Sequence, residues 1–322
     1  MLLDIIMPHY NEPWDTVRPF FDMLRCQKGV DFSEIQVRIV HDGTERFPKQ
    51  CFADAPFKVI QYVKKHGGVS AARNYGLKHS KAKWVLFCDC DDTFSTIYSL
   101  KFAFDVLGTE KHDMLWGTFF TENVVNGNLI LRTNEKFNMV WIHNKYYRRE
   151  FLISKGIRFP EELWFCEDSA FNSIVNLEIE QDRIGKINSP VPMYVWCWRK
   201  NSATTDPDNK LPGIEGHFER NLYVLKEFRA RHYRDADLMV GRTLTDAYVN
   251  LTRKDFDEDR SRVEKRVAEF AKAEEKTVRK LKREEWERVM KASMREAMNG
   301  GVLNPDRPLF TDWLKELKSR YV

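Results

Sequence analysis

Along its first hundred residues the chain alternates short apolar, β-rich runs with amphipathic stretches, the pattern of βα units feeding a mostly parallel sheet. "LLDIIM", "IQVRIV", "FKVIQYV" and "KWVLFC" read as strands. Between the first two, Val17, Phe20, Phe21 and Leu24 recur at i, i+3, i+4 and i+7, one apolar stripe on a helix that Pro13 can open. "GVSAARNYGLKHS" reads as a short helix introduced by Gly67 and Gly68. Each of these runs delivers polar residues at its C-terminal end. In open parallel sheets ligands sit outside the carboxyl ends of the strands, which should bring His9, Tyr10 and Asn11, then Asp42, then Asp89 and Asp91 to one crevice.

Beyond residue 95 the pattern loosens. "TIYSLKFAFDVL" reads helical, "MLWGTFFTENVVNGNLILRT" as two strands about an Asn-Gly turn, and "YYRREFLISKG" as a helix ended by Gly156. "EDSAFNSIVNLEIE" is a further helix with Asp168 near its start. From about Leu211 the composition shifts to Lys, Arg, Glu and Ala, which marks a separate helical region. Between Arg262 and Met298 the apolar residues Val263, Val267, Phe270, Val278, Leu281, Val289 and Met294 keep helical spacing, the signature of one long amphipathic helix. A last helix lies around "FTDWLKELKSRY". The implied organisation is an α/β domain over residues 1–210, divided at 95, and a helical domain over 211–322. A length of 322 residues agrees with two units, since single cores stop growing near ~250–300 residues.

Composition narrows the classes. Lys and Arg number 52 against 48 Asp and Glu, a net charge of +4 that makes no case for nucleic acid by itself. The start "MLLDIIMPHYNEP" shows no basic leader, and no run of about 18 apolar residues follows, so the chain reads as a cytoplasmic protein. Cysteines 26, 51, 88, 90, 166 and 197 form no CxxC pair and read as reduced.

The stretch "WVLFCDCDDTFS" ends an apolar strand in Asp89, Asp91 and Asp92. Carboxylates so placed repel one another unless a cation neutralises them. Oxygen ligands without histidine or paired thiolates suit Mg²⁺ or Mn²⁺, which a diphosphate would complete. On a pleated strand Asp89 and Asp91 would face one way while Cys88 and Cys90 point into the core. The structural alternative is a turn and helix cap, for which Asp-Asp-Thr is ordinary chemistry. "HGGVSAARNYG" sets two glycines before a helix carrying Arg73, where N–H groups and a guanidinium could meet phosphate.

Taken together, "MPHYNE", "VHDGTE", "HGGVSAARNYG" and "CDCDD" resemble, in order and spacing, the nucleotide-sugar half of family 2 glycosyltransferases, which have the GT-A fold. "KYYRREFLISKGIRFPEELWFCEDSAFN" and "YVWCWRKNSATT" look like that family's acceptor half, so the resemblance covers about residues 2–206. It implies that Pro8, Tyr10, Asn11, Glu12, Asp42 and Gly67 border the nucleoside, and that Arg73 approaches the base or diphosphate. Asp89 and Asp91 would be the D-x-D pair, with Asp91 the direct metal ligand. Asp168 would be the general base, while Arg199 and Ser202 would belong to a loop closing over the donor phosphates. One departure stands out: His41-Asp42-Gly43-Thr44 replaces the usual Asp-Asp-Gly-Ser, which bears on base preference.

The reaction so implied is inverting transfer from a nucleotide sugar, most commonly a UDP-sugar, to a hydroxyl on a surface glycan, teichoic acid or glycoconjugate. Phage-type transfer to virion protein or hydroxymethylated DNA bases is the alternative, so DNA stays open as an acceptor. A nucleotidyltransferase would need a glycine-rich N-terminal loop that is missing here. A non-catalytic nucleotide-sugar-binding module is disfavoured by the intact acids. Among the aromatic residues Trp116, Trp141, Trp164, Trp196 and Trp198, core packing is the general reading, with Trp164, Trp198 and the neighbouring Glu167 as acceptor candidates. His9, His66, His79 and His143 show no metal-ligand spacing and read as polar residues. "KTVRKLKREEWERVMK" could touch an anionic membrane or polymer, but its interleaved acids favour a solvated helix face. A homo-oligomer through the helical region is a further expectation.

Overall fold

The computed structural model describes residues 1–200, 202, 205, 210–254, 259–299 and 303–322. The chain divides into two compact units, Met1–Thr205 and Asp206–Val322.

In the first unit the elements run β1 (Leu3–His9), α1 (Trp14–Arg25), β2 (Ile35–Asp42), β3 (Lys58–Lys64), α2 (Gly68–His79), β4 (Trp84–Phe87), β5 (Thr93–Phe94) and α3 (Ser99–Leu107). They continue with β6 (Met114–Trp116), β7 (Phe119–Val125), β8 (Asn128–Asn134), β9 (Lys145–Arg148), α4 (Arg149–Ser154), α5 (Glu167–Glu178), β10 (Ile184–Lys186) and β11 (Tyr194–Trp196). A seven-stranded sheet of order β10-β6-β9-β4-β1-β2-β3 forms the centre, parallel except where β9 lies antiparallel between β4 and β6. A second sheet, β5-β11-β7-β8, carries the hairpin whose Asn126-Gly127 turn has positive φ at both residues, as an Asn-Gly turn of this type requires.

β1 and β2 are buried along their whole length because helices cover both faces of a central parallel strand. The polar residues inside them are therefore paired. Asp4 and Arg38 form an ion pair at 3.0 Å with 0% and 4% side-chain exposure, and Asp4 also accepts from Ser80 Oγ and the N–H groups of Lys81 and Ala82. The α1 stripe Val17, Phe20, Phe21 and Leu24 is fully buried, as its spacing implies. The segment "YYRREFLISKG" departs from expectation: its first residues form β9, and only Arg149–Ser154 is helical. Tyr146 and Tyr147 are both fully buried, one on each face of a sheet that offers them two partner strands.

The second unit comprises α6 (Lys210–Ala230), α7 (Ala236–Leu251), α8 (Ser261–Ala273), α9 (Glu275–Lys280), α10 (Arg283–Asn299) and α11 (Phe310–Tyr321). The expected long helix over 262–298 is thus three helices. The chain turns extended at Leu281, whose Cδ1 lies 3.0 Å from where a Cβ at Gly241 of α7 would stand. Arg279–Glu275 and Arg283–Glu287 pair at i,i+4 on exposed faces, in keeping with a solvated reading of this basic stretch. Among the described residues no helix is long and apolar enough to cross a membrane.

Gly76 brings α2 against β1: a Cβ there would lie 2.4 Å from Ile6 Cγ2. Overpacking of a branched side chain in a fixed strand outweighs the ~1 kcal/mol that alanine gains over glycine in a helix. Gly76→Ala is expected to cost a net ~1–2 kcal/mol in urea unfolding; an unchanged or raised midpoint would show that the helix can stand further from the sheet.

Candidate active site

β1, β2 and β4 run parallel, so their carboxyl ends open on one side, where His9 and Tyr10, Asp42, and residues 88–92 emerge. β4 ends at Phe87, one residue short of the expected strand. Cys88 makes a last strand-like bond to Ile6 O, and the chain then turns, with Asp92 N–H donating to Asp89 O at 3.2 Å. The acids are therefore set by a turn, not by alternation along a strand. Cys88 and Cys90 do point into the hydrophobic core.

The three acids meet different fates. Asp92 is 2% exposed and accepts from Tyr194 Oη at 2.6 Å and Cys197 N–H at 2.9 Å, tying the turn to β11 and the segment after it. Burial and the charges of Asp89 and Asp91 push its carboxyl well above the usual range. Asp89 pairs with Arg73 at 2.7 Å, and Asp91 with Arg199 at 3.0 Å. Burial alone would raise Asp89, yet Arg73 outweighs it and holds the carboxyl low. Asp91, whose arginine is more exposed, stays above its ordinary value through burial and repulsion from Asp89.

Arg73 is almost fully buried on α2, its guanidinium 5.1 Å from the Phe159 ring centre. Expected to approach the base or diphosphate, it instead donates one terminal nitrogen to Asp89 and the other to Glu167 at 2.8 Å. Asn74, the next residue, exchanges two hydrogen bonds with the backbone of Phe159 and fixes the helix against that segment.

Asp42 ends β2 and is likewise committed. Its carboxylate accepts from Lys64 Nζ at 2.5 Å, Gly67 N–H at 3.0 Å and Gly68 N–H at 2.7 Å, and His66 Nδ1 lies 2.9 Å from it and 3.1 Å from the Asp42 carbonyl oxygen. The N–H groups that the two glycines were expected to offer to phosphate are satisfied by this carboxylate, which sits at the positive end of α2. Tyr10 is exposed and lies against the His66 ring, Asn11 is exposed, and Pro8 is buried in β1. Glu12 accepts from Tyr10 N–H at 3.0 Å and faces Arg199 at 3.3 Å; burial pushes its carboxyl up, but these donors outweigh that and hold it low. His41 meets His9 Nδ1 at 2.9 Å and Gln61 Oε1 at 2.8 Å. Burial lowers it to about 4, so it is neutral at pH 7. A cleft of about 750 Å³ opens at the ends of β2 and β3, lined by residues 43–46 and 63–65.

On the opposite side of the acids, α5 starts from Cys166, a non-glycine residue at φ 60°, so the backbone carries strain next to Glu167 and Asp168. Asp168 accepts from the N–H of Ser169 at 2.7 Å. Burial, then the Glu167 charge, raise its carboxyl to about 7 against the opposing pull of Arg73. Trp164 is exposed and Trp198 half-buried, with Trp198 N–H bonded to Glu122. Trp141 is also exposed, against the general core-packing expectation for these tryptophans. In the segment "WRKNSAT", Asn201, Ala203 and Thr204 lie outside the described residues. Ser202 N–H bonds Thr205 Oγ1, which in turn donates to Arg199 O.

His143, read from sequence as an ordinary polar residue, is buried here. Asp89, Asp92 and His143 bring one ligand-type atom each within 4.8 Å of one another. No spacing signal links residue 143 to 89, so only the fold could reveal this. Asp92 already serves Tyr194 and Cys197, which leaves Asp89 and Asp91 as the acids with exposed oxygen.

The crevice at the carboxyl ends of the parallel strands, lined by paired acids and flanked by the raised carboxylate of Asp168, lies where an open α/β sheet places its ligand. A model of glycosyl transferase family 2 matches residues 4–164, half of the chain, and the chain belongs to that family. It is 26% identical over 260 residues to the uncharacterized glycosyltransferase EpsJ of Bacillus subtilis (strain 168), covering 72% of this chain and 70% of that one. It is 28% identical over 196 residues to the minor teichoic acid biosynthesis protein GgaB of the same organism, covering 56% of this chain but 21% of GgaB. Among solved structures, S. aureus TarS 1–349 in complex with UDP-GlcNAc aligns with a TM-score of 0.57 at 18% identity, over 96% of this chain and 98% of that one. The fold is GT-A, followed by helices.

The two arginines differ in burial, and that difference is measurable. Arg73→Gln leaves two largely buried carboxylates without their cation and is expected to cost ~3–5 kcal/mol. Arg199→Gln breaks a more exposed pair and should cost no more than ~1 kcal/mol. Equal urea midpoints for the two variants would contradict this ranking.

Proposed function

We propose that the Met1–Thr205 unit is an inverting transferase that moves a sugar from a UDP-sugar to a hydroxyl of a surface glycan, teichoic acid or glycoconjugate. The observation that carries this reading is Asp168, a carboxylate raised to about 7 and set on α5 beside the Glu167–Arg73–Asp89 chain. A general base works best when its proton affinity lies near the working pH. UDP as the nucleotide, and a glycan as the acceptor, are supported by the UDP-GlcNAc bound to TarS and by the teichoic acid role in GgaB's name.

The acids fit a divalent cation. The Asp91 carboxyl is raised by burial and then by the charge of Asp89, and one partly exposed arginine does not fully offset them. The exposed donor atoms are oxygens, which suits Mg²⁺ or Mn²⁺ held by Asp91 and Asp89. When bound, such an ion supplies positive charge beside the leaving diphosphate. Pro8, Tyr10, Asn11, Glu12, Asp42 and Gly67 are assigned to the nucleoside side, with Asp42 shaping the pocket through Lys64, His66 and the start of α2. Arg199 and Ser202 are assigned to the diphosphate, and Trp164, Glu167 and Trp198 to the acceptor side.

In the reaction Asp168 accepts the proton of the acceptor hydroxyl as its oxygen bonds to the anomeric carbon. The bond from that carbon to the diphosphate oxygen breaks, and the electron pair leaves with the nucleoside diphosphate. Attack from the face opposite the leaving group inverts the centre. Arg73 keeps Asp89 and Glu167 in place throughout, since it is bonded to both.

Asp168→Asn is expected to lower kcat by roughly 10²- to 10⁴-fold while UDP-sugar affinity stays within about two-fold. Turnover at the native rate would remove Asp168 from this role. Because the base must be ionised, kcat/KM should fall as pH drops through about 7 and level off above it. Asp91→Ala should abolish the dependence of UDP-sugar binding on Mg²⁺ or Mn²⁺ in calorimetry, and retention of that dependence would move the metal elsewhere. Labelled UDP-sugars offered with separated polysaccharide, lipid, protein and DNA fractions identify the acceptor; label in DNA would overturn the glycan assignment, and absence of any nucleoside diphosphate release would favour a binding module.

A further inference from the structure

Arg199 follows β11, and the backbone around it is tied down. Cys197 N–H donates to Asp92 Oδ1 at 2.9 Å, Trp198 N–H donates to Glu122 Oε2 at 2.9 Å, and Arg199 O accepts from Thr205 Oγ1 at 2.6 Å. The side chain is looser, 42% exposed against 4% for Arg73. Its Nε donates to Asp91 Oδ2 at 3.0 Å, and Nη2 donates to Glu12 Oε1 at 3.3 Å. One guanidinium thus joins the turn after β4 to the segment after β1. Among the described residues it is the one side chain bonded to Asp91.

A divalent cation held by Asp91 would meet this guanidinium as a like charge a few ångströms away, and such charges repel. The carboxylates of Asp91 and Glu12 carry two negative charges, which one divalent ion balances and an ion together with Arg199 exceeds. The two cations are therefore alternatives at Asp91. A displaced guanidinium keeps its charge and needs another anion, and its planar fork matches phosphate oxygens. With the backbone of residues 197–199 fixed, the exchange needs only rotation of an exposed side chain. Arg73 has no such freedom, being buried between Asp89 and Glu167.

We infer that Arg199 is an exchangeable stand-in for the metal: it neutralises Asp91 and Glu12 as the structure shows, gives up Asp91 to a divalent cation, and transfers to the donor diphosphate. The inference rests on the reading of Asp91 as metal ligand. It makes cation and nucleotide bind cooperatively. Alone, the cation has to displace Arg199 into solvent; with a diphosphate present, the same arginine gains a partner, so each ligand favours the other by the same factor.

The test is calorimetry on the full chain, without turnover. Arg199→Gln should bind Mn²⁺ about ten-fold more tightly than the native chain when no nucleotide is present. At saturating Mn²⁺ the same variant should bind UDP about ten-fold more weakly. An arginine that merely braced the turn would not move the two affinities in opposite directions. In an Asp91→Ala background the gain in Mn²⁺ affinity should vanish. The native chain supplies a second readout if Arg199→Gln fails to fold: the ¹⁵N-arginine signal of Arg199 Nε–H, assigned by its absence in Arg199→Lys, should shift when Mg²⁺ and UDP saturate the protein. Mn²⁺ affinity that is unchanged or weakened in Arg199→Gln, or an Nε–H signal that stays in place, would overturn the inference and leave Arg199 a fixed brace. If Mn²⁺ binding responds to Asp91→Ala but not to Arg199→Gln, the metal assignment stands and the exchange fails. If the affinities move as expected but no sugar is transferred, the exchange stands and the transferase reading falls. Absence of any Asp91-dependent Mn²⁺ binding would remove both the metal assignment and the exchange.

Discussion

The guanidinium of Arg73, buried beside Phe159 and shared between Asp89 and Glu167, joins α2, the turn after β4 and the start of α5. Most other features of the crevice depend on it. It neutralises Asp89, so that acid can sit beside Asp91 and Asp92 without being driven neutral. It anchors Glu167, and so fixes the first turn of the helix that carries Asp168. The close approach of α2 to β1 at Gly76 puts the arginine within reach of both carboxylates.

Charge in this crevice is set by burial against the cation each acid meets. Asp92 is enclosed and raised, Asp89 is held low by a buried arginine, and Asp91 is raised despite a partly exposed one. Of the two acids that keep exposed surface, Asp91 is therefore the one whose arginine compensates it less, which is where a cationic ligand gains most. The same economy holds at the end of β2, where Asp42 is spent on Lys64, His66 and the start of α2 and so builds the wall of the pocket.

Much of the fold was legible from residue patterns. The stripe Val17, Phe20, Phe21, Leu24 gave α1 because helical spacing and burial follow directly from the period. Asn126-Gly127 gave the hairpin because that pair tolerates the backbone the turn demands. β9 was not legible, because Tyr146 and Tyr147 owe their extended form to two neighbouring strands from distant parts of the chain. The break at Leu281 was hidden for the same reason: the leucine meets α7 at Gly241, far off in the chain. In the crevice, the order of the motifs pointed to Asp42, Asp89, Asp91, Glu167, Asp168 and Arg199, but the approach of His143 to Asp89 and Asp92 carries no spacing signal.

What the sequence by itself determined is the set of elements with a local period and the identity of the acids at the strand ends, since both are written in neighbouring residues. The tertiary structure decided which cation serves which carboxylate. Arg73, drawn from sequence toward a ligand, is taken by Asp89 and Glu167, and the glycine N–H groups by Asp42. Those pairings join residues 16 to 94 positions apart, and electrostatic energy depends on distance and burial in space, which no local pattern of residues records.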